Sequence, residues 1–541
     1  LQYLQMSEEI AEESALTEDE RSVAVAYERN GDICMEAGTQ EDLKEAVRLF
    51  GLEQDVWEQL KERLERLDYL RGSAIAWQKQ GMAYQSMEEE GAAEQAAACI
   101  RRSLVFWQQL AEESGLIQDE RGIAVCYERL GDLEHRKGET ADDEALSYYR
   151  KEEEIWRRLI EALDTVDAKR GLSFTLGKQA SVYQKRSGEE SRRQEIKLRE
   201  EKLSFDREVA EKLGTPKALQ EYITGCRKLG KLLAEGDSRE EKEQALALYQ
   251  AYIARAEDMV QEGILEGEED ALCIAWQMTA SLYRALGGED ACEQAAAAYQ
   301  KALTYFAHEE GDPEESVEDR TDRMKICMNL ASVYMTKGNR EAYEEAFPYS
   351  EKACRIAKAF TEQTPTTETG DNYALCLMNH GRLCAAAGGE AHGEEGIACY
   401  IRAVDIAETI VDKPEAVYAS QVLMVCSMSL GDLLKAQDAD SEESLKYYRK
   451  GLAWGSRLAA AHGTVANLDN YVVALYKVLI HNGTEDEEKY ELAEQMRSVS
   501  EQLYARTGNP RHKRFADIAA ELMEILTEED ADEADAGEDD E

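Results

Sequence analysis

Apolar residues recur at helical spacing along most of the chain. One clear stripe follows Ser238 and consists of Ala245, Tyr249, Tyr252, Ile253, Ala256 and Val260. Spacings of three, four and seven residues place such side chains on one side of an α-helix. Ser238 and Glu241, three residues apart, have the spacing of a capping box at the start of this helix. No stretch shows the alternating pattern of a strand, so the sequence predicts an all-α fold.

The helical pattern repeats about every 50 residues. Nine small residues, which we call anchors, follow one another at spacings of 50, 50, 49, 50, 50, 51, 50 and 50: Gly31, Gly81, Gly131, Ala180, Gly230, Ala280, Ala331, Gly381 and Gly431. A weaker tenth copy is anchored near Tyr476 after a step of 45. Such repetition predicts tandem helix pairs stacked into an α-solenoid. We expect each anchor to be small because a neighbouring helix approaches closely there.

Turn residues recur in phase with the anchors. Glycines seven residues after many anchors predict helix C-caps: Gly38, Gly138, Gly287, Gly338, Gly388 and Gly483. Prolines stand where first helices should begin: Pro216, Pro313, Pro365 and Pro414. Thr17 and Glu20 form a further capping-box pattern. Pro348 lies inside a predicted second helix and predicts a kink.

The residues around the anchors resemble the tetratricopeptide repeat family. Trp77, Gly81 and Tyr84 match its first helix, and a longer match is formed by Trp276, Ala280, Tyr283, Ala295, Tyr299 and Ala302. The period exceeds the usual 34 residues of that family. The run from Arg121 to Asp132 looks like a long-repeat subtype that is common in bacterial multidomain proteins. The resemblance implies a right-handed superhelix of antiparallel helix pairs, with the first helices lining a concave groove.

The repeat frame predicts the domain organisation. Residues 1–16 are expected to be the truncated second helix of a preceding repeat, so we expect the chain to be a fragment of a longer protein. Residues 17–507 form an array of about ten repeats, and 508–526 form a C-terminal capping helix. Residues 527–541 form an acidic tail that we expect to be disordered.

Composition narrows the classes of partner. Lys plus Arg number 63 and Asp plus Glu number 112, which gives a formal charge of −49. A surface this acidic disfavours nucleic acids and anionic membranes as partners. The 12 cysteines form no C-x-x-C pair, and no secretory signal opens the chain. We therefore expect a reducing, cytoplasmic location.

Three sequence patterns bear on possible sites of chemistry. The run Gly225 to Lys231 has most of a phosphate loop, but Leu232 replaces the metal-binding hydroxyl and the run lies within a helix. Cys376, His380 and Cys384 share one helix face, yet their positions fit core packing and no fourth ligand is visible. No histidine stands beside a nucleophile motif. The sequence predicts no catalytic residues, no metal and no cofactor.

The groove is the remaining candidate for function. Positions three before, one after and four after each anchor are expected to face inward. In the first and third copies these positions carry acids such as Glu28 and Asp132. In the fifth to eighth copies a basic lining is expected, formed by Arg227, Lys231, Arg284, Lys325 and Arg382. This lining predicts an acidic peptide or protein segment as the partner, and the chain's own acidic tail is one candidate occupant.

The sequence therefore favours a non-catalytic scaffold or sensor array that binds protein or peptide, within a larger bacterial signalling protein. Two alternatives stay open. The chain is the regulatory arm of an enzyme whose catalytic domain lies upstream, or it is a small-molecule-binding helical regulator with a pocket near Met328, Met335 and Met378. The sequence does not decide the oligomeric state.

Overall fold

The chain folds into α-helices throughout the part that the computed structural model describes, which is residues 2–14, 16–64, 66–288, 290–306, 315–438 and 441–538. In these ranges there is no strand, and the helices are α1 Gln2–Ser14, α2 Thr17–Ala37, α3 Gln40–Leu64, α4 Leu67–Ser86, α5 Ala92–Ser114, α6 Glu120–Arg136, α7 Asp142–Leu163, α8 Val166–Lys185, α9 Glu189–Leu213, α10 Pro216–Ala234, α11 Arg239–Gln261, α12 Glu269–Leu286, α13 Ala291–Leu303, α14 Val317–Met335, α15 Arg340–Gln363, α16 Thr367–Ala387, α17 Glu390–Ile410, α18 Ala419–Gln437, α19 Glu442–His462, α20 Val465–Leu479, α21 Asp486–Thr507 and α22 Pro510–Glu538. Short 3₁₀ turns precede α6 and α7. The all-α prediction is confirmed.

The helices group into two compact units, Leu1–Glu266 with α1 to α11 and Gly267–Glu541 with α12 to α22. Within each unit, every helix packs against the next one along the chain. All nine anchors lie on even-numbered helices, α2 to α18, which are the first helices of the repeats. The fold is thus a solenoid of helix pairs resembling the tetratricopeptide type. None of the described helices combines the length and apolar character needed to cross a bilayer.

Each glycine anchor receives a large side chain from the second helix of its own repeat. A Cβ on Gly31 would stand 2.5 Å from Cε1 of Phe50, and one on Gly131 would stand 2.5 Å from Cε1 of Tyr149. The expectation that close approach keeps the anchors small is therefore confirmed. An alanine here would overpack the interface, at a cost of about 1–3 kcal/mol.

Tryptophans join consecutive repeats in the first unit. Trp57, Trp107 and Trp156 each lie against a glycine near the start of the next first helix: Gly72, Gly122 and Gly171. A Cβ at those glycines would approach the indole rings to 2.6, 2.1 and 2.5 Å. The contacts recur with the repeat, so one interface type is used three times.

Helix ends follow the predicted turn chemistry in part, and the predicted caps Gly138 and Gly338 lie one and two residues past the C-caps Lys137 and Thr336. Gly38 ends α2 with a φ of 70°, and Thr215 caps α10 ahead of Pro216. The prediction of a Thr17 cap is wrong, because Leu16 holds the N-cap position and Thr17 is already helical. Gly483 is not a left-handed cap either; its N–H donates to His481 Nδ1 at 3.1 Å.

The prolines lie in different structural settings. Pro414 lies in the loop before α18, α15 continues as one helix through Pro348, and Pro313 lies outside the described residues.

The last helix buries Ala519 and packs Phe515, Ile518 and Leu522 against the core of the second unit. It continues to Glu538, past the predicted end at 526, because Ala and Glu favour helix and no proline follows Pro510. The side chains of residues 528–541 lie outside the description.

Candidate functional site

Two lysines in the first unit are clamped by acids from the preceding repeat. Lys79 Nζ lies 2.8 Å from Glu28 Oε1 and 2.7 Å from Asp32 Oδ2. Burial alone would lower the pKa of Lys79, but its hydrogen bonds to Asp32 and Glu28 outweigh burial and raise that pKa. The lysine stands two residues before one anchor, and the acids stand three before and one after the previous anchor. We call this arrangement the lysine clamp.

The clamp recurs two repeats later. Lys178 Nζ lies 2.7 Å from Glu128 Oε1 and 2.7 Å from Asp132 Oδ2. Tyr149, the ring on the Gly131 anchor, donates its hydroxyl to Asp132 Oδ1 at 2.8 Å. The same repeat positions therefore produce the same ion pairs, and these charges are already compensated within the fold.

The next copy keeps the lysine and lacks its acids. Lys228 stands two residues before the Gly230 anchor, so it occupies the position of Lys79 and Lys178. The preceding repeat carries Gly177 and Ser181 where the clamp needs Glu and Asp. Across the residues that the structure describes, Lys228 has no carboxylate partner. Lys228 is exposed, and it lacks the two acids that pair with the lysine at this position in the second and fourth repeats.

Lys228 lies between two adjoining cavities of about 700 and 540 Å³, which also share Ser181 and Arg199. One face of α10 contributes Lys217, Thr224 and Lys228 to the smaller cavity and Lys231 to the larger. Their spacing of seven, four and three residues keeps all four on one side of the helix. We call the combined space the α10 cavity.

Most other cations of the α10 cavity are paired. The guanidinium of Arg192 lies 2.6 Å from Glu241, that of Arg199 lies 2.7 Å from Glu195, and the amine of Lys202 lies 2.6 Å from Asp206. In contrast, Lys217, Lys228 and Lys231 have no ion pair among the described side chains. Three positive charges therefore remain available to a ligand within a chain of formal charge −49.

The five residues predicted for the groove do not form one set. In the first unit Lys231 lines the α10 cavity, whereas Arg227 lies over the ring of Tyr252, 5.9 Å from its centre. In the second unit Arg284 Nη2 donates to Ser332 Oγ at 3.3 Å, and Ser332 and Arg382 line a separate cavity of about 200 Å³. Lys325 is exposed on α14.

Sequence reasoning missed the lysines that surround the α10 cavity. Lys178, Lys202, Lys217 and Lys228 do not stand at the predicted inward positions, which are three before, one after and four after the anchor. A signal was present, since Lys79, Lys178 and Lys228 all stand two residues before an anchor. The run Gly225 to Lys231 lies wholly inside α10, as expected, so its backbone N–H groups are not arranged as a phosphate loop.

The methionine-rich region of the second unit holds the cavity of about 200 Å³. Met328, Met335 and Asn379 line it, whereas Met378 does not. Asn379 Nδ2 lies 3.1 Å from Met328 Sδ across this space. Small-molecule sites usually enclose about 300–1,000 Å³, so this cavity is small for an organic ligand.

Buried thiols and carboxylates have raised pKa values. Burial raises the pKa of Cys99 to about 11 and that of Cys376 to about 12, which is opposite to the shift of an activated thiol. Burial also raises the pKa of Glu53 and of Glu152 to about 8. Glu152 accepts hydrogen bonds from Trp156 Nε1 at 3.0 Å and Thr175 Oγ1 at 2.6 Å.

No protein-family model matches the chain, and no curated protein matches it. Among solved structures, the signal transduction ATPase with a tetratricopeptide repeat sensor from Pyrococcus horikoshii is similar over 94% of this chain and 74% of its own, with 12% identity and a TM-score of 0.39. BtubC (BKLC) from P. vanneervenii is similar over 49% of this chain and 92% of its own, with 19% identity and a TM-score of 0.36.

The C-terminal part of a tetratricopeptide repeat protein from Cytophaga hutchinsonii gives a comparable result. It is similar over 59% of this chain and 96% of its own, with 13% identity and a TM-score of 0.32. All of these scores are low, and the helix-pair architecture described above rests on this chain's own helices.

Proposed function

We propose that the chain is a non-catalytic helical-repeat scaffold that binds an acidic peptide or protein segment in the α10 cavity. The observation that supports this is Lys228, which occupies a clamp position without its two acids. Carboxylates of a partner would replace the missing Glu and Asp, because the neighbouring clamps show which groups that position accepts.

The length of the lysine row sets the size of the bound segment. Lys217 and Lys231 are 14 residues apart on one helix, which is about 21 Å at 1.5 Å per residue. An extended peptide rises about 3.3 Å per residue, so roughly six residues span the row. Two or three acidic side chains in that segment would meet the three unpaired lysines.

The chemistry of the surroundings favours a peptide over a nucleic acid. Glu195, Glu235 and Asp132 also line the α10 cavity, so a continuous polyphosphate would meet repulsion between the lysines. A peptide can place carboxylates at the lysines and amide groups opposite the acids. Because the lysines are exposed, each contact contributes modestly and depends on salt.

The test is binding of a fluorescent hexaglutamate peptide to the full chain, followed by anisotropy. Reversing the charge of Lys228 and Lys231 to Glu should weaken binding at least about tenfold, or about 1.4 kcal/mol. Lys446→Glu, an exposed lysine on α19, is the matched control and should change affinity less than about twofold. Circular dichroism verifies that all variants fold.

The same assay separates this site from the one predicted by sequence. If Arg284→Glu with Arg382→Glu weakens binding and the Lys228 variant does not, the peptide binds in the second unit. Equal affinities for all variants would contradict both sites.

We further infer that the array acts as the scaffold or sensor part of a larger bacterial signalling protein. The resemblance of its anchors to long bacterial tetratricopeptide repeats supports this, as does a cavity suited to a protein segment. Sequencing the gene upstream of Leu1 tests this proposal, and an enzyme domain encoded there would make the array a regulatory arm instead of a pure scaffold. Deleting residues 527–541, whose side chains from 528 on lie outside the description, tests whether the tail competes for the cavity.

A further inference from the structure

Three metal-binding side chains converge in the eighth repeat, within the second unit, and a fourth lies beside them. His380 and Cys384 stand four residues apart on α16, and His392 and Glu395 stand three residues apart on α17. Each spacing places its pair on one helix face. The two helices form the antiparallel pair of one repeat, so the two faces meet.

The distances fit a single small cation. One ligand atom each from His380, Cys384 and Glu395 lies within 4.8 Å of the others, and His380 Nε2 lies 3.2 Å from Glu395 Oε1. Zinc bonds of about 2.0–2.3 Å in a tetrahedron separate neighbouring ligand atoms by about 3.3–3.8 Å. The nitrogen and the carboxylate are therefore already at that spacing, and the thiol needs a shift of about 1 Å at most.

A surrounding shell orients the first histidine. Ser350 Oγ on α15 lies 2.9 Å from His380 Nδ1. If Nδ1 carries the proton and donates it to Ser350, then Nε2 presents its lone pair toward Cys384 and Glu395. Histidine ligands in metal sites are usually fixed in this way by their second nitrogen. His380 and Cys384 are buried, so they move little.

The second histidine supplies the observation that ordinary core packing does not explain. His392 Nδ1 is buried from solvent and has no hydrogen-bond partner among the described residues. It lies 4.0 Å from Glu395 Oε2 on a half-exposed side chain, outside the group of three ligand atoms, so the imidazole would move toward the ion to become the fourth ligand. Phe347 stacks on the His392 ring at 4.7 Å and meets the His380 ring edge-on at 6.0 Å, so one apolar side chain packs against both imidazoles. A buried imidazole nitrogen without a partner is unfavourable, and a metal bond would satisfy it.

We propose that His380, Cys384, His392 and Glu395 bind one tetrahedral zinc-class divalent cation that ties α16 to α17. Four protein ligands leave no open position, so the site is structural. This departs from the prediction of no metal and changes the earlier candidate trio. Cys376, one turn before His380, lines the separate cavity beside Met328 instead, and the missing ligands come from the next helix.

The test uses the reduced, metal-free full chain and titrates Co²⁺ and then Zn²⁺. We expect one ion per chain, with Co²⁺ giving intense visible bands typical of tetrahedral coordination and a near-ultraviolet band from the thiolate. Cys384→Ala should abolish the thiolate band, whereas Cys376→Ala, a matched buried cysteine on the same helix, should keep it. Zn²⁺ should displace Co²⁺ and remove both sets of bands.

Further variants guard against loss of folding. Glu395 is half-exposed, so Glu395→Gln should fold normally and weaken Zn²⁺ binding more than about tenfold, while the adjacent Glu394→Gln should leave it unchanged. Ser350→Ala should weaken binding about 10–100-fold without altering the cobalt spectrum. Absence of stoichiometric binding at micromolar Zn²⁺ would overturn the proposal. A cobalt spectrum unaffected by Cys384→Ala would do the same.

Discussion

Lys178 and Lys228 occupy the same position of consecutive repeats and have opposite surroundings. Lys178 is held by Glu128 and Asp132, whereas Lys228 faces Gly177 and Ser181. The backbone geometry is shared, so the difference lies in two side chains of the preceding repeat. In a repeat protein, a charged side chain is available to a partner where the adjacent repeat lacks the opposite charge that pairs with it in other copies. The following predictions alter this difference in order of decreasing effect.

Supplying the missing acids should close the α10 cavity to acidic ligands. Gly177→Glu with Ser181→Asp would build a clamp around Lys228, and a Cβ at Gly177 meets only the flexible end of Lys202, at 3.2 Å. We expect hexaglutamate affinity to fall about 100-fold, or about 2.7 kcal/mol, because Lys228 is compensated and two negative charges are added. Anisotropy titration measures this.

The neutral pair Gly177→Gln with Ser181→Asn is the control for that experiment. It adds similar volume without charge and should reduce affinity only a few-fold. An equal loss from both pairs would show that bulk, rather than charge, blocks the cavity.

Glu152, beside the Lys178 clamp, should make stability depend on pH. Its pKa is raised by burial from 4.5 to about 8 in the folded chain. The folded state therefore holds a proton that the unfolded state loses, so its stabilising effect is present below pH 4.5 and is lost as the pH rises toward 8. Glu152→Gln should raise the stability at pH 8 by on the order of 2 kcal/mol and flatten the dependence.

Denaturant unfolding at pH 5 and pH 8 measures this effect. Glu153→Gln changes the neighbouring carboxylate, which pairs with Arg157, and is the control for a local change of charge. A Glu152→Gln chain that is less stable than the original at pH 8 would contradict the assignment of a neutral Glu152.

Releasing Lys178 should turn a clamp into a second binding position. Glu128→Gln with Asp132→Asn removes both charges while keeping acceptors for Lys178 and for Tyr149. Because the clamp is partly exposed, we expect a loss of about 1 kcal/mol in stability. Hexaglutamate should bind a few-fold more tightly, since Lys178 lines the same cavity as Lys228.

The corresponding change at Glu28 and Asp32 is the control, because it frees Lys79 outside the α10 cavity. It should cost similar stability and leave peptide affinity unchanged. A gain of affinity in that variant would place the peptide elsewhere in the first unit.

A change of salt concentration should have the smallest effect, and it should weaken peptide binding at Lys228 more than it weakens the ion pairs of Lys79 and Lys178. Raising ionic strength from about 0.05 to 0.5 M shortens the screening length to a few ångströms. Peptide binding at exposed Lys228 should weaken several-fold, whereas the unfolding free energy, with Lys79 and Lys178 in direct contact with their acids, should change little. Titration and urea unfolding at both salt concentrations provide the comparison.

The sequence was sufficient for the repeat and insufficient for the contacts between repeats. Gly31 and Gly131 were recognisable because small residues recur at nearly constant spacing, even where the residues around them differ from repeat to repeat. The clamp was not, because its lysine and its acids lie about 50 residues apart and their register depends on how one first helix slides along the next. Glu195 and Arg199 illustrate the same limit. They stand where the first repeat carries an alanine and an aromatic residue on its second helix, and they form an ion pair of 2.7 Å.

The metal candidate was missed for a related reason. Cys376, His380 and Cys384 align on one helix and are visible from spacing alone, whereas the approach of His392 and Glu395 depends on how the next helix packs. Thr17 shows a purely local error: the motif was present, but the helix begins one residue earlier than a Thr17 cap requires.

The fluorescence of the tryptophans at the repeat junctions can report on unfolding of the first unit. Trp57, Trp107 and Trp156 lie at three successive junctions. Trp57 and Trp156 donate to the buried carboxyl groups of Glu53 and Glu152 at 3.1 and 3.0 Å, whereas the indole N–H of Trp107 has no acceptor among the described residues. The chain has six tryptophans, so replacing the other five with Phe leaves a single emitter at a known junction. Its emission during denaturation would reveal whether the junctions open in sequence or together, and the emitters beside the glutamates would also respond to pH.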